Sequence, residues 1–209
     1  LIPTSDLEGE DGLIPELMLF ALLVGWIAGG KFWRLGEARI RFGWLIFLPV
    51  LLYLVSWLPP LLKTNWFAST SNVIERLALI TVGFANWRVP GVKLIVLGLL
   101  LNFAAIVANG GLMPVDPNAV ALVFGNEYLK DAIASPHVRS AIMDTSTELG
   151  FLCDIIAAKR PFVAVPAVYS VGDLVMSTGI FIAIIWIMRT PLPSEKQALE
   201  GAASGADGA

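Results

Sequence analysis

Five stretches of the chain stay apolar for the length a bilayer demands. A helix rises about 1.5 Å per residue and the hydrocarbon core is about 30 Å thick, so a span needs about 17–25 residues. Residues 13–30, 43–62, 69–87, 91–108 and 170–188 meet that length, each bounded by charge, proline, glycine or tryptophan. Inside lipid every backbone N–H and C=O must pair within the chain, which leaves helices or a closed barrel, and such continuous runs lack the alternation of barrel strands. The pattern predicts an all-α, polytopic transmembrane helix bundle of about five spans, four within residues 13–108 and the fifth within 168–189. Trp26, Trp33, Trp44, Trp66, Trp87 and Trp186 mostly lie near span ends, where an amphipathic ring is comfortable. Trp57 and Pro59-Pro60 are expected to shorten or kink the end of the second span. No basic stretch precedes the first span and no small-residue cleavage site follows it, so it reads as retained rather than as a signal peptide.

The polar positions between the spans set an orientation. Lys31, Arg34, Arg39 and Arg41 lie between spans one and two, Arg88 and Lys93 flank the turn between three and four, and Arg189 and Lys196 follow span five. The second loop and its flank offer Lys63 and Arg76, and the acidic tail of residues 1–12 offers none. Cytoplasmic loops hold the excess of lysine and arginine, which predicts the N-terminus outside and the C-terminus inside. Residues 190–209, rich in Ala, Gly, Ser and Glu, are expected to form a disordered cytoplasmic tail.

One connection stands apart. Residues 109–167 make a 59-residue extracytoplasmic segment containing Phe124, Tyr128, Leu129, Ile142, Met143 and Phe151, too apolar for a solvated linker. Asp116-Pro117 offers an N-cap followed by proline at the first helical position, and Thr145 with Glu148 has capping-box spacing. A short helix over 146–157 would gather Leu149, Leu152, Cys153 and Ile156 on one face, docked on the bundle or at the membrane interface.

Composition sharpens the class. Hydrophobic residues are 56%, charged residues 15% and mean hydropathy is +0.75, a poor fit to soluble or disordered chains. The formal charge of −3 excludes nucleic acid as a main partner. A single Cys153 and a single His137 exclude an intramolecular disulfide framework and a Cys/His zinc cage. Gly-x-Ser-x-Gly, His-Glu-x-x-His, Walker and dinucleotide motifs are missing, and His137 reads as an exposed loop residue. No catalytic residue, metal ligand or cofactor is assigned.

Asn102, then Asn109-Gly110-Gly111-Leu112-Met113-Pro114-Val115, then the run from Asp144 to Asp154, then Tyr169-Ser170-Val171-Gly172-Asp173 resemble in order and spacing the domain of unknown function 5317 family, small bacterial multi-pass membrane proteins. The resemblance spans roughly residues 17–189, with Cys153 standing where a small residue such as glycine is expected. It implies an integral membrane fold and brings no reaction; the expected location is a bacterial cytoplasmic (inner) membrane.

The polar residues carry two readings each. Asn102 and Asn109, seven apart, project from nearly the same face of span four, either bonding neighbouring helices or facing a ligand. Asn109-Gly110-Gly111 ends that helix with residues tolerant of positive φ, or forms a backbone nest for an anion or carbonyl. Ser170 and Asp173 have the spacing that caps a helix start. Asp154 and Asp173 flank the outer mouth and are a candidate carboxylate pair for a cation or for acid/base chemistry. Glu16 and Glu75, the latter beside Arg76, are expected near outer span ends within reach of headgroup water. Gly25 and Gly29 form a Gly-x-x-x-Gly pair for close helix approach, within the bundle or to a partner chain.

These observations point to an integral membrane protein acting as a non-catalytic accessory or ligand-binding subunit. The lipid bilayer is its one assigned partner, with a membrane protein partner or homo-oligomer to be considered. A small transporter or channel would instead use Asn102, Asn109, Asp154 and Asp173 as a polar pathway, and a membrane enzyme would place Asp154 or Asp173 as general base at headgroup level.

Overall fold

Each of the five apolar runs holds helix, and further short helices lie between them. A computed structural model describes residues 13–56, 65–134, 140–161, 163, 165–192 and 195. The acidic tail of residues 1–12, Trp57, Pro59-Pro60, Lys63, His137 and most of the C-terminal tail lie outside the described residues. In chain order come α1 (Leu13–Ile27), α2 (Trp33–Glu37), a 3-10 turn (Gly43–Phe47), α3 (Leu48–Ser56), α4 (Asn65–Ala85) and α5 (Val92–Ala108). Then follow β1 (Met113–Val115), α6 (Pro117–Phe124), α7 (Asn126–Ala134), β2 (Ser140–Ile142), a 3-10 turn (Gly150–Leu152), β3 (Ile156–Ala158), β4 (Ala167–Tyr169) and α8 (Val171–Arg189).

Each predicted span contains a helix, but among the described residues only α8 is both long enough and apolar enough to cross a bilayer. The apolar helices within the first, second and fourth spans are shorter, and α4 carries Ser71, Asn72, Glu75 and Arg76 within its length. Past the end of α1, Gly29 takes φ +80°, and the 3-10 turn takes the first five residues of the second run.

α8 is the central helix, packed against α5 on one side and α1 on another, while α4 packs against α5. Its seam with α5 is lined by glycines seven residues apart on both helices. A Cβ on Gly98 would stand 2.7 Å from Met176 N, and one on Gly179 would stand 2.6 Å from Gly91 O. Gly98 lies against Gly172 and Gly91 against Gly179, so the two helices run antiparallel with backbones nearly touching. Glu16 reaches Val165 near the start of α8 and Gly25 meets Met188 near its end, so α1 and α8 run in the same direction.

The Gly-x-x-x-Gly expectation is corrected by these contacts. Gly25 is covered within the chain, since a Cβ there would stand 2.6 Å from Met188 Sδ. Gly29 is not on the helix face at all; it serves the turn after α1, with nothing within 4 Å of where a Cβ would stand. Gly30 takes the packing position instead, 2.8 Å by the same measure from Met188 Cβ.

The loops rich in basic residues gather at one end of the bundle. Lys31 N–H donates to Met188 O at 2.8 Å, and Arg41 and Asn86 exchange bonds of 3.0 and 2.9 Å between the first loop and the end of α4. The opposite end carries the segment 109–167, which is not all helical as expected. β1 and β2 pair in parallel from Met113↔Ser140 to Val115↔Ile142, and β3 and β4 pair antiparallel from Ile156↔Tyr169 to Ala158↔Ala167. The predicted helix over 146–157 is replaced by the turn Gly150–Leu152, a bridge from Asp154 to Val115, and β3. The Asp116 cap does form, its carboxylate accepting from Asn118 N–H at 3.0 Å with Pro117 in the first turn of α6.

Candidate functional site

The polar site starts with the chemistry of a helix start. β4 is buried along its whole length, and Ile155 N–H donates to Tyr169 O at 3.2 Å, which fixes where the chain enters α8. Ser170 then caps α8. Its Oγ accepts from Asp173 N–H at 3.0 Å while Asp173 Oδ2 accepts from Ser170 N–H at 2.9 Å, satisfying two donors that the first turn leaves orphaned.

Asn102 joins this cap from across the α5–α8 seam. Its Nδ2 donates to Asp173 Oδ1 at 2.6 Å, and Ser170 Oγ stands 2.8 Å from Asn102 Oδ1 and 2.7 Å from Asp173 Oδ2. The one hydroxyl hydrogen serves either of those acceptors at a time. Ser170 is 0% exposed and Asn102 3%, and the missing side chain of Gly172 leaves the space that Asn102 Oδ1 occupies. Each of the three side chains is thus engaged with the other two in a water-poor seam.

Asn109 lies elsewhere. At the end of α5 its Nδ2 donates to Ala105 O at 2.8 Å and Glu148 O at 2.9 Å, and its Oδ1 accepts from Glu148 N–H at 2.9 Å. The amide imitates a strand partner and ties the 144–153 turn to α5. Gly110 and Gly111 take φ of +69° and +90°, and Gly111 O accepts from Asn72 Nδ2 at 2.9 Å, so this loop joins α4 to α5. Asp154, 4% exposed, runs beside β1, its N–H donating to Pro114 O at 3.0 Å and its C=O accepting from Asp116 N–H at 2.9 Å. The structure therefore brings Asn102, Ser170 and Asp173 together and seats Asn109 and Asp154 in the loop framework of the 109–167 segment. Among the described residues no three His, Cys, Asp or Glu side chains form a group that could hold a metal ion.

Neighbouring side chains are tuned by the same framework. Burial and the adjacent Asp154 push the Cys153 thiol above its ordinary range, and Cys153 is 0% exposed. Hydrogen bonds from Ser146 hold Asp144 below the usual carboxylate range, and Thr147 Oγ1 accepts from Asp144 N–H, so Asp144 begins this turn rather than the expected Thr145–Glu148 box.

Two polar groupings escape the sequence pattern. Ser71, Asn72 and Glu75 lie on the buried face of α4, and Glu75 is 2% exposed instead of reaching headgroup water. Their i, i+1, i+4 spacing was the available signal for a shared buried face. Arg34, 7% exposed, bonds Met188 O at 3.0 Å and pairs with Glu195 at 2.7 Å, with Lys31 3.2 Å from the same carboxylate. Nothing local signals that pairing. Burial works to raise the Glu195 pKa, but bonds from Arg34, Leu192 N–H and Lys31, and the Arg34 charge, hold it at about 2.

The model of a family described as a family of unknown function, DUF5317, matches residues 37–185. No curated protein and no solved structure matches the chain.

Proposed function

The chain belongs to the DUF5317 family, and on that footing we propose that it is a five-span protein of a bacterial inner membrane, acting as a non-catalytic accessory or ligand-binding subunit. The single observation that carries this reading is the closed set of bonds among Asn102, Ser170 and Asp173. Side chains that bind one another across two helices stitch a bundle. A conduction path or a general base needs polar atoms turned toward a substrate.

Two further observations support the membrane placement. Leu19, Leu23, Phe47, Val50, Leu54 and Leu97 are exposed large apolar residues, an outer face suited to lipid, while Ser71, Asn72, Asn102 and Ser177 are buried beside a mainly apolar core. α8, 19 residues, is long and apolar enough to cross a bilayer, and α4, 21 residues, has the length to do so. The basic loops at one end of the bundle support a cytoplasmic location for that end, with the 109–167 segment and N-terminus outside.

Carbonate extraction tests the placement, and retention in the pellet is expected. Purification in mild detergent with mass spectrometry tests the role. A protein or small ligand recovered in stoichiometric amount supports an accessory or binding subunit; a particle without one that conducts solute when reconstituted replaces that reading.

A second reading rests on Glu75. An ionisable side chain buried within a candidate span is a functional position by default, because neutral packing would cost less. In that reading Glu75, Ser71 and Asn72 line a transport path along α4. Loss of flux in Glu75→Gln with an unchanged melting temperature would favour it.

A further inference from the structure

At the basic end of the bundle, the last turns of α8 border a groove of about 460 Å³, lined by Pro90, Phe181, Ile182, Ile185, Trp186 and Arg189 among others. The walls are apolar, and among the described lining residues the one charged side chain is the guanidinium that ends the helix. Arg189 is exposed, as are Arg39, Arg41, Arg88 and Lys93, and none of the five is in an ion pair among the described residues. Of the acids described at this end, Glu195 is already held by Lys31 and Arg34, and Glu37 is exposed in no such pair. Among the described residues, the surface around the groove therefore carries more basic than acidic side chains outside ion pairs. Trp33, Trp87 and Trp186, all exposed, lie at the same end.

From this juxtaposition we infer that the groove binds one anionic phospholipid, with an acyl chain along Phe181, Ile182 and Ile185 and the phosphate on Arg189. Apolar walls bury a chain; a planar guanidinium receives two phosphate oxygens at once. The C-terminal end of α8 by itself repels an anion, so the phosphate depends on the Arg189 charge. A free phosphate ion has no use for the apolar lining. A zwitterionic lipid fills the groove but neutralises its own phosphate.

The inference rests on the membrane reading above, and carbonate extraction separates the two: release from the membrane removes both, while retention leaves this site to be judged alone. The full chain in detergent is titrated with dioleoylphosphatidylglycerol or dioleoylphosphatidylcholine, and native mass spectrometry reads the fraction carrying one lipid. Phosphatidylglycerol is expected to be preferred by about fivefold, the effect of one basic residue near an anionic headgroup. Inorganic phosphate is expected not to compete at equal concentration. Arg189→Gln should abolish the preference, Arg189→Lys should keep most of it, and Arg88→Gln, outside the lining, should keep it all. If Arg189→Gln does not fold, Ile185→Trp fills the groove with the charge retained and should lose the bound lipid. Equal binding of both lipids, equal losses in Arg189→Gln and Arg88→Gln, competition by phosphate, or full binding by Ile185→Trp would each overturn the site.

Discussion

Asn102 and Asp173 hold each other across the α5–α8 seam, Nδ2 to Oδ1 at 2.6 Å, although 71 residues separate them in the chain. The two ends of that bond are not equivalent. Asn102→Leu removes interhelical bonds of about 0.6–2 kcal/mol and leaves the Ser170–Asp173 box intact. Asp173→Leu breaks the box and strands both the Asn102 amide and the Ser170 N–H, a loss of about 2–4 kcal/mol. Thermal melting in detergent should rank Asp173→Leu below Asn102→Leu, and equal losses would contradict the arrangement.

The glycine seam makes a second prediction. A Cβ on Gly98 or Gly179 runs into backbone of the facing helix, so alanine at either position should cost about 1–3 kcal/mol through overpacking. Gly36 has nothing within 4 Å of a Cβ, and Gly36→Ala should be neutral or slightly stabilising. The same melts check both, and the seam is misdescribed if all three variants behave alike.

The Glu195 clasp predicts a pH dependence. Its folded pKa of about 2 lies below the ordinary value of 4.5, so the carboxylate stabilises the folded state above about pH 4.5. That contribution fades as pH falls from 4.5 toward 2, where both states become protonated. Wild type should therefore melt above Glu195→Gln at neutral pH, by an amount that is constant down to about pH 5 and then narrows. A difference that grows in acid would reverse the sign and reject the clasp.

Cys153 predicts its own silence. Buried completely and with its thiol pushed up, it should resist maleimide in the native protein and react only after denaturation. On a Cys153→Ser background, Lys130→Cys, whose position is 70% exposed in the 109–167 segment, should label from outside intact cells, and Arg88→Cys only after permeabilisation. The opposite pattern inverts the orientation.

Local chemistry was legible where the partners lie within a few residues. Asp116-Pro117 starts α6, Ser170 with Asp173 starts α8, and Asn109-Gly110-Gly111 ends α5, because cap donors and positive φ are decided inside one turn. The helix expected over 146–157 did not form for a related reason. Its apolar spacing was helical, but a single short helix is weak, and Asp154 and Ile156 found strand partners at Val115 and Tyr169.

Residue order by itself determined where apolar runs lie, which turns interrupt them, and which residues cap the helices, since all these follow from backbone geometry and solvation close along the chain. Only the tertiary structure decided that Asn102 meets Asp173, that Met188 covers Gly25, that Glu75 turns inward and that Arg34 seizes Glu195. Such pairings depend on which helices are neighbours and how far each is rotated about its axis. Those quantities come from packing summed over the whole bundle, and no short stretch of residues contains them.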